Sequence, residues 1–314
     1  MSELPKLLEE GISDTETNTI LKFYPPDYGF GSEVFMFTWH LLASLSLRAR
    51  FYVSESNNWF ILTDGYSNPC PFGGFHCLFD HLGNYRDVSS NITSNNFSCR
   101  WDSEKMEWWN FNNGVRSIIP VQQLLFNTLP SHFNDYNQRT ICSDIIRYLL
   151  HPSTYFKTFI DDEMKRIEFN GKETIGIHIR GGKDMNKGQD GRQIFPISWY
   201  MKHALSLQKQ FNISTIYLSS DVESIYDTIQ IEYPQFKFLT HRVSNRQSNT
   251  MKQLYTATSL FLLSYSHYFI GTLSSNFAVL ATLLNSDDNN QLIISLDGYY
   301  HRSCELLHKG TIYN

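Results

Sequence analysis

The sequence lacks the features that would place it in several large functional classes. It contains no run of about 18 apolar residues, so nothing in it predicts a membrane-spanning helix. Its first residues are polar and charged, where a secretory signal would need an apolar run. No block of lysine and arginine stands out and the net charge of the 314 residues is -5, so the basic surface typical of nucleic-acid binders is missing. We therefore expect a globular protein that binds no nucleic acid and has no membrane segment.

Metal and cofactor motifs are absent as well. The five cysteines show no C-x-x-C spacing, which argues against a zinc site and against a redox pair. The eleven histidines are scattered and do not cluster with carboxylates. Neither a G-x-G-x-x-G turn after a strand nor a Walker A loop occurs, which disfavours nicotinamide dinucleotides and P-loop NTPases. We expect no bound metal and no resident cofactor.

The sequence leaves the cellular compartment open. Sequons at Asn91, Asn96 and Asn212, together with three cysteines close in sequence, are compatible with the secretory pathway if an anchor has been removed. Sequons also arise by chance in an Asn-rich chain, so a soluble cytoplasmic location is the alternative. The odd number of cysteines leaves at least one thiol unpaired within the chain.

The second half of the chain alternates regularly between apolar strands and helices. This alternation predicts parallel βαβ units and a doubly wound sheet, hence an α/β protein. We place the domain boundary near residue 170, with an N-terminal α/β domain at 1–169 and a Rossmann-like domain at 170–314. The predicted strands are 173–179, 214–220, 236–240, 268–271 and 291–295, and the predicted helices are 196–210, 222–232, 251–265 and 275–285.

The first half is less regular. Its apolar pattern predicts helices at 33–47, 117–128, 140–150 and 152–167 and short strands at 50–54 and 58–62. The stretch between residues 66 and 113 is rich in aromatic residues and has weak periodicity. Its tryptophans and Trp59 are candidates for a sugar-stacking platform, with burial in the core as the alternative.

The stretch from Ile175 to Lys187 ends an apolar strand on an arginine and then breaks into a polar loop. An arginine at the carboxyl end of a buried parallel strand lies where the next loop opens into a crevice, and its fork of donors can hold a phosphate. An exposed salt bridge is the alternative for Arg180. Gly181 and Gly182 favour the first interpretation, because they let the backbone approach a ligand closely.

A second predicted strand, at 268–271, runs into a small polar turn followed by a helix. Ser274 and Ser275, with the amides around them, would form a helix N-terminus that favours an anion, although an ordinary serine N-cap is the alternative. A cation at one strand end and hydroxyls and amides at another predict a diphosphate site. At a third strand end, Ser219 to Asp221 are candidate helix caps, and Asp221 is a candidate neighbour of a nucleotide.

Taken together, these stretches resemble the GDP-fucose-dependent fucosyltransferases. The matching segments include H-I-R-G-G-K-D, F-P-I-S-W-Y-M, I-Y-L-S-S-D and F-I-G-T-L-S-S-N-F, and the likeness spans residues 27–301. It is strongest to the core α1,6-fucosyltransferases and the rhizobial chitooligosaccharide fucosyltransferases, and weaker to the protein O-fucosyltransferases.

The resemblance implies a GT-B-like fold of two Rossmann-like domains facing a cleft, in which the second domain holds GDP-fucose. The acceptor would be an oligosaccharide or a glycoprotein, and neither a divalent metal nor a cofactor would be required. Arg180 would neutralise the leaving GDP, and the two serines with their amides would hold phosphate oxygens. The residues expected at the nucleotide sugar are His178, Arg180, Gly181, Asp221, Ser259, Thr272, Ser274 and Ser275.

The resemblance also implies an inverting transfer in which a base activates the acceptor hydroxyl. Where the core enzymes have R-R-T-D-K this chain has R-G-G-K-D, so that Gly181 replaces the second arginine. Asp184 and Asp190 are the candidate bases, with Lys183 or Lys187 as a relay. The alternative is that these four residues are solvated loop charges.

A further departure from the family pattern is Ser259, which stands where the core enzymes carry an aspartate that contacts guanine. Three functions follow from the sequence. The first is an α1,6-fucosyltransferase acting on the GlcNAc of an N-glycan core or a chitooligosaccharide, and the second is a protein O-fucosyltransferase. The third, motivated by Gly181 and Ser259, is a degenerate module that binds a GDP-sugar or glycan without turnover.

Overall fold

The chain divides into two compact units. In this computed structural model, the first unit holds the described residues up to His151 and the second holds those from Pro152 onward. The division falls before the predicted boundary at residue 170, because the helix at 154–166 packs against a helix of the second unit. The residues that the structure describes are 19–23, 30–31, 34–35, 37–38, 41, 50–53, 78–80, 95–102, 107–112, 115–119, 138–181, 194–241, 249–285 and 291–297.

The first unit contains a mixed five-stranded sheet in the order β2-β1-β3-β4-β5. Strand β1 pairs in parallel with β2 and β3, whereas β3, β4 and β5 form an antiparallel meander. A helix, α1, follows the sheet in the chain. The bounds are β1 Thr19–Phe23, β2 Arg50–Val53, β3 Asn95–Asp102, β4 Glu107–Asn112, β5 Val115–Ile119 and α1 Gln138–Leu149.

The sequence predicted this unit only in part. Strand β2 and helix α1 confirm the predictions at 50–54 and 140–150, and Val34, Phe35 and Phe37 are helical and buried as expected. The helix predicted at 117–128 is wrong over residues 117–119, which belong to β5. No strand was predicted where β3 and β4 lie. The predicted strand at 58–62, with Trp59, lies outside the described residues.

The second unit is a doubly wound α/β domain. Its five strands are all parallel, in the order β10-β9-β6-β7-β8, and helices cover both faces of the sheet. Every predicted strand and helix of this unit is confirmed to within about two residues. The bounds are α2 Thr154–Arg166, β6 Thr174–Ile179, α3 Ile197–Phe211, β7 Thr215–Ser220, α4 Glu223–Glu232, β8 Lys237–Thr240, α5 Asn249–Tyr265, β9 Tyr268–Gly271, α6 Asn276–Leu284 and β10 Leu292–Ser295.

The central strand β6 carries the core of this unit. All six of its residues are buried, because α3 covers one face and α5 covers the other. Ile175, Ile177 and Ile179 join the apolar cluster on the α3 side. Burying each such side chain contributes roughly 1.5–3 kcal/mol, so the strand that leads to Arg180 is held firmly along its whole length.

The strand order reverses between β6 and β9. From β6 the chain adds β7 and β8 on one side, then crosses back to place β9 and β10 on the other. In open α/β sheets, ligands bind at the carboxyl ends of the strands where the order reverses. The two strand ends singled out in the sequence therefore meet at this point of the sheet. Among the described residues, no helix is both long and apolar enough to cross a membrane.

Candidate functional site

Arg180 and Gly181 form the turn after β6. Arg180 is half-buried at the carboxyl end of the strand, as predicted. The amide of Gly181 donates a hydrogen bond of 2.7 Å to Oδ1 of Asp221, which follows the neighbouring strand β7. A Cβ on Gly181 would lie 2.3 Å from Cγ2 of Val222. With Val222 in this position a larger residue would force its side chain to shift, so the packing of this chain favours glycine where the family pattern has an arginine.

His178 lies two residues before Arg180 and points to the other side of the sheet from Ile177 and Ile179. Its ring is buried and packs edge-to-face against Phe277 of α6, with ring centroids 5.0 Å apart. Burial lowers the pKa of His178 to about 4; the carboxylate of Asp221 opposes this shift and the charge of Arg180 adds to it. The imidazole is therefore neutral at neutral pH, and its Nδ1 has no hydrogen-bond partner among the described residues.

The turn after β9 consists of Thr272 to Ser275. Thr272 and Ser275 are buried, whereas Ser274 is half-buried. Ser275 is the N-cap residue of α6, but its hydroxyl makes no capping hydrogen bond and finds no partner among the described residues. An unpaired buried hydroxyl carries a cost that a ligand oxygen could remove. This turn and the Arg180 turn flank the reversal point, which brings the predicted cation and hydroxyls to neighbouring strand ends.

The amides of this turn have partners that the sequence analysis did not foresee. The amides of Leu273 and Ser274 donate to the two carboxylate oxygens of Asp297, at 3.1 and 2.9 Å. The amide of Ser275 donates to the carbonyl of Thr272 at 3.0 Å. In this structure the amides of Ser274 and Ser275, which the sequence analysis assigned to phosphate oxygens, have acceptors within the protein.

Two tyrosines brace the strand ends and were also missed. Tyr200 of α3 is buried and hydrogen-bonded to Thr272, and burial raises the pKa of its hydroxyl. The hydroxyl of Tyr226 donates to the carbonyl of Ser220 and accepts from its amide, both at 2.9 Å.

The Ser220 hydroxyl accepts from the amide of Val222, and α4 has no side-chain cap, so the predicted capping role is wrong. Position in the chain could have identified the missed partners, since Tyr200 and Tyr226 are buried residues of helices and Asp297 follows a strand.

Ser259 belongs to a separate buried polar chain. Its hydroxyl accepts a hydrogen bond of 2.8 Å from Tyr217 of β7, whose oxygen also lies 2.9 Å from Nδ1 of His241. On its other side, His241 Nε2 donates to Glu163 at 2.8 Å, and Arg166 donates to the same carboxylate. These hydrogen bonds link α2, β7, α5 and the end of β8. Ser259 is thus buried and hydrogen-bonded within the core of the second unit.

The remaining site predictions lie outside the described residues. These are the candidate bases Asp184 and Asp190 and the candidate relays Lys183 and Lys187, all between residues 182 and 193. Within the described part of the chain, no group of three or more histidine, cysteine, aspartate or glutamate side chains is arranged to hold a metal ion. The described site therefore offers one arginine, a neutral histidine, serine and threonine hydroxyls, and two aspartates that hold backbone amides.

Comparisons with known proteins identify the family and the fold. Residues 131–301 match the family model described as "Alpha-(1,6)-fucosyltransferase N- and catalytic domains". A structure of POFUT1 in complex with GDP is similar over 87% of this chain and 96% of that chain, at 12% identity and a TM-score of 0.53. Arabidopsis thaliana FUT1 in complex with GDP is similar over 90% of this chain and 72% of that chain, at 12% identity and a TM-score of 0.51. At this identity the likenesses show the fold, and they confirm the GT-B-like α/β class.

Proposed function

We propose that this chain, which belongs to the alpha-(1,6)-fucosyltransferase family, transfers L-fucose from GDP-fucose to a GlcNAc-containing glycan. The acceptor would be an N-glycan core or a chitooligosaccharide and the linkage α1,6. The observation that carries the proposal is Arg180, which directly follows β6 at the reversal point of the parallel sheet, on the strand next to the one that leads to Ser274 and Ser275.

The donor part of the proposal rests on the charge of the site. A guanidinium offers a planar fork of donors that matches a diphosphate, and it stays charged at every physiological pH. The neutral imidazole of His178 adds no repulsion toward Arg180, because its pKa is about 4. Both similar structures reported above are complexes with GDP, which supports a GDP-sugar as the donor of this chain.

The chemical step would be one displacement at C1 of fucose. The acceptor oxygen forms a bond to C1 as the bond from C1 to the diphosphate oxygen breaks, so the configuration inverts and GDP leaves with the electron pair. Arg180 stabilises the charge that develops on the diphosphate, a role for fixed donors that is worth about 10²–10³-fold in rate per donor. In this proposal the arginine takes the place of a divalent metal ion, and no cofactor takes part.

The acceptor hydroxyl must lose its proton during the transfer. Asp184 and Asp190, with Lys183 or Lys187 as a relay, stay our candidates for this task, since they follow Arg180 in the loop after β6. A carboxylate is a competent base for a hydroxyl only when it lies within hydrogen-bond reach of it. Single substitutions of the two aspartates, each measured for kcat at saturating donor and acceptor, would identify which of them acts.

A second function is supported by the likeness to POFUT1, which makes O-fucosylation of a protein the alternative within the same reaction class. The choice of acceptor separates the two, because a folded acceptor domain and a free glycan present different hydroxyls. The degenerate binding module stays the alternative from another class, since Gly181 and Ser259 depart from the family pattern. It would bind GDP and transfer nothing.

The deciding experiment is transfer from GDP-fucose in the presence of EDTA, with N-glycans, chitooligosaccharides and folded acceptor domains in the panel. We expect glycan transfer that survives EDTA and falls by about 10²-fold or more in Arg180→Ala. Arg180→Lys tests the fork geometry at constant charge, and Lys165→Ala, on the exposed face of α2, is the matched loss of a surface cation. Transfer only to folded domains would establish the O-fucosylation alternative. GDP binding without turnover on any acceptor would establish the binding module.

A further inference from the structure

The turn after β9 is tied to the end of β10 by a single carboxylate. Asp297 accepts hydrogen bonds from the amides of Leu273 and Ser274, at 3.1 and 2.9 Å, one on each oxygen. The hydroxyl of Ser295 donates a third hydrogen bond of 2.6 Å to Oδ1. Hydrogen bonds to a charged acceptor contribute more than neutral ones, so this carboxylate is a strong polar attachment for the turn.

The position of Asp297 is itself fixed by the sheet. The amide of Leu296 donates to the carbonyl of Gly271 at 2.9 Å, which continues the pairing of β10 with β9 one step past the last paired residues. Asp297 is the next residue in the chain, so its backbone starts from a fixed point. Its carboxylate then reaches back over the turn that follows β9.

Two interpretations of this contact make opposite predictions. In the first, Asp297 is a permanent strut that holds the turn in the shape that receives the donor. In the second, the carboxylate of Asp297 occupies the place of the diphosphate in the ligand-free protein, and the diphosphate must displace it from the amides of Leu273 and Ser274. The geometry favours the strut. A third hydrogen bond from Ser295 and the fixed backbone at Leu296 would both have to be given up or strained for the carboxylate to leave.

We propose that Asp297 is a positioning residue for the donor site: it holds the turn from Thr272 to Ser275 so that the serine hydroxyls stand beside Arg180. This proposal rests on the proposed function. Tyr200 also secures this turn, through its hydrogen bond with Thr272. The diphosphate is then received by Arg180 and by hydroxyls, while the amides of Leu273 and Ser274 serve the fold.

The test is GDP binding by calorimetry, with steady-state kinetics, in the wild type and in Asp297→Asn. Asparagine keeps the shape but offers one acceptor oxygen and one NH₂ group, so one of the two amides loses its acceptor. We expect GDP binding to weaken about tenfold and the KM for GDP-fucose to rise by a similar factor. The KM for the acceptor should not change, which a general loss of structure would not produce. Asp161→Asn, an exposed carboxylate of α2, is the matched control.

The outcomes separate the two proposals. Tighter GDP binding in Asp297→Asn and in Asp297→Ala would overturn the strut and establish a displaceable anion, and unchanged binding would overturn any role in donor binding. If both variants have the unfolding temperature of the wild type but bind GDP more weakly than the wild type does, the positioning role is supported. No GDP binding by the wild type would overturn the proposed function and, with it, a positioning role for Asp297.

Discussion

The turns after β6 and after β9 flank the same reversal point but are built differently. The β6 turn carries the charge, and one hydrogen bond joins its Gly181 amide to Asp221, an exposed residue. The β9 turn carries hydroxyls, and Asp297 holds two of its amides. In both cases an aspartate at the end of the next strand outward holds the inner turn. The cationic turn is therefore shaped by one hydrogen bond together with close packing against Val222, whereas the hydroxyl turn is shaped by several hydrogen bonds.

Close packing at the β6 turn gives the largest expected effect. Gly181→Val should cost about 1–3 kcal/mol of stability and lower kcat/KM about 100-fold, because its Cβ would overlap Val222 and displace Arg180. Chemical unfolding and donor kinetics measure both quantities. As a control, Gly181→Ala is compared with the double variant Gly181→Ala/Val222→Ala. The double variant should recover most of the stability and activity that Gly181→Ala alone loses, since the overlapping Cγ2 atom is removed. A double variant no better than the single one would contradict packing as the cause.

The second prediction concerns the seam between the two turns, where His178 of β6 packs on Phe277 of α6. The pKa of His178 is about 4 when folded, against an ordinary value of 6.5, so the unfolded chain binds the proton more readily. The free energy of unfolding should therefore fall as the pH drops from about 6.5 to about 4, by at most about 3 kcal/mol from this group. Urea unfolding across this range would measure it. His178→Asn should flatten the dependence, while His241, whose pKa burial also lowers, continues to contribute.

The third prediction contrasts the two aspartates. Asp221→Ala should weaken GDP binding about tenfold through the lost Gly181 hydrogen bond, whereas Asp221→Asn should weaken it by less than about threefold. Asparagine can still accept the single amide at Asp221, but it cannot accept both amides at Asp297. Calorimetry of the two asparagine variants side by side measures the difference. An equal loss of GDP affinity in Asp221→Asn and Asp297→Asn would show that the charge of the aspartate, and not the number of amides it accepts from, decides the role of these residues.

The smallest effect is expected from Ser295→Ala. This change removes the Ser295 hydrogen bond to Asp297 and leaves the two hydrogen bonds from the amides of Leu273 and Ser274 in place. Stability should fall by about 1 kcal/mol or less, and GDP affinity by about twofold to threefold. A loss as large as that of Asp297→Asn would show that the serine, and not the amides, sets the position of the carboxylate.

Much of the second unit could be predicted from the sequence because its signals are local. Strands such as β6 and β9 are short apolar runs between helical segments; Arg180 follows β6 directly, and Ser275 lies in the short turn after β9. The strands of the first unit were harder, since β3 is rich in polar residues and its pairing with β4 depends on register. The partners of the site were not predictable for the same reason. Gly181 and Asp221 are 40 residues apart, and Ser274 and Asp297 are 23 apart.

The amino-acid sequence alone determined the alternation of strands and helices, the family, and the placing of Arg180 and of Ser274 at the ends of parallel strands. Periodicity and turn chemistry are properties of neighbouring residues, so they can be read along the chain. Only the tertiary structure decided which acceptor the amides of Gly181, Leu273 and Ser274 take, why packing against Val222 favours glycine at position 181, and that Ser259 is hydrogen-bonded to Tyr217 in the core. Those outcomes depend on hydrogen-bond partners and van der Waals contacts that meet only when distant strands lie side by side.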